Sequence, residues 1–153
     1  MEQDRPQFEG MHHVLVGVPP EAKEAAHRFY EDVLGFVPVA SPLESGGGSG
    51  NLWWYECGDS ELHVSCVPEY HAHVRPHVAI RVRDLPTFRE RLARHGIATT
   101  LNYSYVGSWR IYVVDPWNNR LEFISQLPPG VRPGMTAEEA ALALSRGIDA
   151  QIS

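Results

Sequence analysis

The sequence predicts an α+β protein built from two βαβββ modules, whose curved mixed sheets surround a concave cleft, with a C-terminal helical tail. Self-similarity carries most of this. HVLVGV, His13 to Val18, is matched sixty-four residues later by HVAIRV, His77 to Val82, and an internal repeat fixes architecture before any single element does. After each segment come apolar residues at helical spacing, a glycine and three strand-like runs.

The opening strands alternate. Val14, Val16 and Val18 share one face, leaving His13, Leu15 and Gly17 on the other; Val78, Ile80 and Val82 likewise oppose His77, Ala79 and Arg81. In the first helix Ala22, Ala25, Ala26, Phe29, Val33 and Leu34 recur at helical spacing, with Pro19 and Pro20 just before it and Gly35 as its stop. The second has Asp84 as N-cap, Phe88 and Leu92 on its buried side, and Gly96 as its stop. The remaining strands are expected at Val37 to Ala40, Leu52 to Cys57 and Glu61 to Val67, then at Ala98 to Tyr103, Trp109 to Val114 and Arg120 to Gln126. Ser45 to Gly50, SGGGSG, reads as a loop, and Asp115 to Asn119 as a turn. One domain spans residues 11–126, with modules at about 11–67 and 76–126; residues 127–153 form the tail, where Thr136 and Glu139 match a capping box ahead of helical turns at Ala140 to Leu144.

A chain of 153 residues with 43% hydrophobic and 21% charged residues can build a core without disulfides. Its formal charge of −6 lacks the basic footprint of a nucleic-acid binder. The apolar runs are strand-sized, so no membrane span is expected, and the polar segment MEQDRPQFEG has no signal-peptide core. A cytoplasmic location is the resulting expectation. Cys57 and Cys66 form no metal motif and read as free thiols.

Chemistry enters through strand parity. If the helices cover the valine and isoleucine faces, His13 and His77 point the other way, and His12 falls on the valine side. Leu121 and Phe123 set Glu122 apart on the last strand, and Leu62 and Val64 do the same for His63. Aligning LHVS with LEFI makes His63 the counterpart of Glu122. Two imidazoles and a carboxylate suit Fe(II), Mn(II), Zn(II), Co(II) or Ni(II).

MHHVLVGV, RFYEDVLGF, HVAIRV and VVDPWNNRLEFIS resemble the vicinal-oxygen-chelate superfamily of glyoxalase I, bleomycin-resistance proteins, fosfomycin-resistance enzymes and extradiol dioxygenases. The resemblance implies that His13, His77 and Glu122 are the metal ligands, and that family members commonly form homodimers. Glyoxalase I carries glutamate where this chain has His63, so His63 is either a fourth ligand or a nearby general acid/base. Tyr112, ten residues before Glu122, is similar to the active-site tyrosine of extradiol dioxygenases.

On parity Arg110 shares the face of Tyr112 and is available to orient an anionic substrate group, while Trp54 and Tyr103 are candidate substrate-binding aromatics. The expected function is a metal-dependent enzyme of glyoxalase or dioxygenase type acting on a small oxygenated metabolite, through Lewis-acid or oxygen chemistry. The alternative is a metal-free protein that sequesters a small molecule, as bleomycin-resistance proteins do.

Overall fold

Both alternating segments become the first strand of a four-stranded sheet. The computed structural model describes residues 9–40, 50–72, 75–103, 108–127, 130–132, 135, 136, 138–140, 142 and 143. The chain divides into two units, residues 1–71 and 72–153.

In the first unit the strands are β1 (His13–Val18), β2 (Pro38–Val39), β3 (Leu52–Cys57) and β4 (Ser60–Cys66). Their order is β1-β4-β3-β2, with β1 parallel to β4 and the other pairs antiparallel. A parallel pair needs a long crossover, and the helical segment supplies part of it. That segment tightens and then widens. A 3-10 turn at Pro20–Ala22 leads into α1 (Lys23–His27) and then a π turn at Arg28–Val33. The widened turn is closed by Leu34 N–H donating to the Phe29 carbonyl at 3.0 Å, and Gly35, at φ 85°, ends it. Tyr30 and Tyr55, both fully buried, stack between helix and sheet with centroids 6.1 Å apart. β1 shows the expected alternation: Val16 and Val18 are buried while Leu15 is 54% exposed.

The second unit repeats the plan with β5 (His77–Arg81), α2 (Leu85–Arg94), β6 (Asn102–Tyr103), β7 (Ser108–Val114) and β8 (Arg120–Gln126). The order is β5-β8-β7-β6, with β5 parallel to β8. Asp84 caps α2 as expected, accepting from Thr87 N–H at 3.1 Å and from its hydroxyl at 2.7 Å. Those bonds hold the Asp84 carboxyl below the ordinary aspartate value. Phe88 packs on Phe123 with ring centroids 4.5 Å apart, which ties helix to sheet. Gly96 closes the helix at φ 76°.

The turn before β8 is built on Asp115, which is 3% exposed. Its carboxylate accepts from Trp117 N–H at 2.9 Å, Asn119 N–H at 2.7 Å and the Asn119 side-chain amide at 2.7 Å. This satisfies the carboxylate and fixes where β8 begins. In the tail, Thr136 N–H donates to Glu139 Oε2 at 2.7 Å and Glu139 N–H donates to Thr136 Oγ1 at 3.2 Å, the reciprocal pair of a capping box. Residues 138–140, 142 and 143 are helical; Leu144 lies outside the described residues.

Five strands differ from expectation at their ends; β5 stops one residue early at Arg81 and β7 starts one residue early at Ser108. β2 is only Pro38–Val39, β4 starts and ends one residue early, and β6 is only Asn102–Tyr103. Residues 45–49 of the glycine-rich loop lie outside the described residues. Cys57 and Cys66 are free thiols, and burial raises both pKa values. Among the described residues no helix is long and apolar enough to cross a membrane.

Candidate metal centre

In the second unit, adjacent parallel strands bring His77 and Glu122 together. His77 pairs with Arg120 across β5 and β8, and Ala79 with Glu122, so His77 is the diagonal neighbour of Glu122 on one face. His77 Nε2 lies 2.9 Å from Glu122 Oε2. The carboxylate is otherwise buried, at 5% side-chain exposure, whereas the imidazole is 35% exposed. Arg110, diagonal to Glu122 from β7, donates through Nη1 to Glu122 Oε1 at 3.3 Å. Tyr112, directly opposite Glu122, meets the His77 ring edge-on at 5.8 Å.

The other His77 nitrogen decides what the pair can hold. Nδ1 lies 3.2 Å from the Arg75 carbonyl. A carbonyl only accepts, so Nδ1 carries the hydrogen. Nε2 then presents a lone pair, or a second proton, to a carboxylate. Two lone pairs at that distance repel, so a cation belongs between them: a proton or a metal ion. A histidine that gives one N–H to a carbonyl and aims the other nitrogen at a carboxylate has the outer support typical of a metal ligand. Donors 2.9 Å apart are spanned by an ion bound at about 2.0–2.2 Å from each. The pair fits a divalent ion.

In the first unit the corresponding face carries a stack of rings. His63, 4% exposed, lies between His13 on one side, with centroids 4.2 Å apart and planes at 10°, and Trp54 on the other, at 4.3 Å and 8°. His63 Nε2 is 2.7 Å from Glu61 Oε2. His13 is exposed, and its Nδ1 is 2.9 Å from His12 Nδ1.

The two sheets place these residues at equivalent register. His13 pairs with Glu61 and Leu15 with His63; His77 pairs with Arg120 and Ala79 with Glu122. Trp54 lies opposite His63 as Tyr112 lies opposite Glu122. The repeat read from the sequence is therefore present in hydrogen-bonded register.

The sequence-selected residues thus form two groups, His13, His63 and Trp54 in one unit and His77, Glu122, Arg110 and Tyr112 in the other. Among the described residues no three His, Cys, Asp or Glu side chains are gathered as one metal-holding group. β6 pairs Asn102 with Arg110 and Tyr103 with Trp109, so Asn102 occupies the position across from Arg110. Arg120 was missed; its guanidinium carbon sits 3.9 Å from the Tyr112 ring centroid. Its parity with Glu122 was the available signal.

Residues 10–123 match the family model described as the Glyoxalase/Bleomycin resistance protein/Dioxygenase superfamily. No curated protein matches the chain. Among solved structures, the chain is similar to a protein assigned to the glyoxalase family from Bacillus anthracis, with 29% identity, TM-score 0.71, and coverage of 80% of this chain and 98% of that one. It has the fold of a lactoylglutathione lyase from Agrobacterium tumefaciens, at 19% identity, TM-score 0.60, and 78% and 95% coverage. The same holds for a fosfomycin resistance protein from Listeria monocytogenes, at 14% identity, TM-score 0.57, and 88% and 99% coverage. With a duplicated sheet plan and a family match over most of its length, the chain belongs to the Glyoxalase/Bleomycin resistance protein/Dioxygenase superfamily.

Proposed function

We propose that the protein is a metal-dependent enzyme acting on a small oxygenated metabolite. The observation that carries this is the His77 ring, with Nδ1 on a backbone carbonyl at 3.2 Å and Nε2 facing Glu122 at 2.9 Å. The third ligand, His13, enters this reading only through the family resemblance noted in the sequence; its register in the first sheet is the counterpart of that of His77 in the second. Lewis-acid stabilisation of oxygen-centred charge is the chemistry such an ion supplies when bound, and with iron it extends to dioxygen.

The chain's own groups supply positioning and protons. The Arg75 carbonyl fixes the His77 tautomer. His63, held against Glu61 at 2.7 Å, is arranged to keep a proton at Nε2, which suits an acid/base role better than ligation through that nitrogen. Tyr112 brings a phenol to the same face as Glu122, and Trp54 covers the far side of His63. The related lactoylglutathione lyase and fosfomycin resistance protein show the kinds of small-molecule chemistry this fold hosts. In this reading the working form is a cytoplasmic homodimer.

A second reading, a metal-free binding protein, draws on the Arg110–Glu122 ion pair at 3.3 Å, since Arg110 alone already balances the carboxylate charge. Elemental analysis of protein purified without oxygen separates the two. The enzyme reading expects about one transition-metal ion per chain, lost in His77→Ala and Glu122→Ala variants whose circular dichroism is unchanged. Metal-free wild-type protein that takes up no added Fe(II), Mn(II), Ni(II), Co(II) or Zn(II) would instead support the binding protein.

A further inference from the structure

The Glu122 face of the second sheet is basic within an acidic chain. Three successive rows run across β5, β8 and β7: His77, Arg120 and Val114; Ala79, Glu122 and Tyr112; Arg81, Ile124 and Arg110. They hold three arginines and one carboxylate. Arg110 is committed to that carboxylate through Nη1. Arg120 has no carboxylate partner among the described residues. It is instead laid on the Tyr112 ring, with its guanidinium carbon 3.9 Å from the centroid, while Arg110 lies 5.5 Å from the same ring.

Stacking on a ring uses the face of a guanidinium and leaves its in-plane N–H fork available. Bracing also removes conformational freedom that binding would otherwise have to remove. A fork of this kind matches paired oxygens, whether of a carboxylate or of a phosphate. Arg120 and Glu122 are alternate residues of one strand, about 7 Å apart along it. An oxyanion on Arg120 would therefore leave the remainder of a small molecule over the His77–Glu122 pair. A second polar group on this face also lacks a partner: Arg110 Nε is buried without a hydrogen bond among the described residues, as expected of a donor awaiting a ligand or water.

We infer that Arg120, braced on Tyr112, is an anion clamp, and that the substrate carries a small oxyanion group, a carboxylate or a phosphate or phosphonate. The substrate part of this inference rests on the metal-site reading above; the clamp rests on the second sheet alone.

The test uses full-length protein stripped with a chelator, titrated with inorganic phosphate and separately with acetate at constant ionic strength. Arginine Nε–H signals in nitrogen-15 spectra report the binding. Saturable binding of either anion is expected, with phosphate or acetate preference identifying a tetrahedral or planar group. Arg120→Gln should weaken it at least tenfold, and Arg120→Lys, which keeps the charge but not the fork, should restore only part. Arg81→Gln should leave it within about twofold. Circular dichroism checks folding of each variant. Absence of saturable binding of both anions, or equal affinity in wild type and Arg120→Gln, would overturn the clamp. Intact anion binding in a protein that takes up no metal would uphold the clamp and overturn the metal reading.

Discussion

His77 and Glu122 face each other at 2.9 Å from neighbouring parallel strands, while Arg110 holds the other oxygen of the same carboxylate at 3.3 Å. Under the proposed metal-site reading, a guanidinium and the ion would compete for Glu122. A part-exposed ion pair of this kind is worth about 1 kcal/mol, so removing it should tighten metal binding about fivefold. Arg110→Gln, titrated with Zn(II) against a competing chelator, should show that gain. Weaker binding in the variant would mean that Arg110 positions Glu122 for the metal instead of opposing it.

Asp84 gives the clearest pH dependence. Its folded pKa is depressed by the bonds from Thr87, so its stabilisation is fully present above the ordinary aspartate pKa. It is lost as pH falls through the depressed folded value. Asp84→Ala should cost about 1 kcal/mol near neutrality, as for other N-caps. The gap to wild type should narrow as pH falls through that depressed value. Urea denaturation at neutral and acid pH measures it; a gap that persisted at acid pH would contradict the assignment.

Phe123 fixes helix to sheet in the second unit through Phe88, at 4.5 Å, and is 1% exposed. Phe123→Ala should cost about 3–5 kcal/mol, the usual range for emptying a buried aromatic site. Equilibrium denaturation checks this. Because Phe123 lies on the opposite face from Glu122, the folded fraction should keep whatever metal affinity the wild type has.

Much of this was legible because strand parity is strict. Alternation alone placed Val16 and Val18 inside and His13 outside, and put Glu122 on the opposite side from Leu121 and Phe123. The matched LHVS and LEFI segments then gave the equivalence of His63 and Glu122, which the two registers show. Register itself is what the sequence conceals. The Arg110–Glu122 contact is a diagonal one, and finding it requires knowing that Arg110 lies opposite Ile124. The pairing of β6 was concealed for the same reason: a strand of two residues has too little alternation to reveal its register. The π turn at Arg28–Val33 was hidden because helical apolar spacing tolerates one widened turn.

The central claim is that His77 and Glu122 hold a divalent ion. Titrating chelator-treated protein with Co(II) and following its d–d absorption tests it most directly. The account predicts saturation at one equivalent per chain in wild type and no saturable spectrum in a folded Glu122→Ala variant. The same spectrum and endpoint in both proteins, or none in wild type, would contradict it.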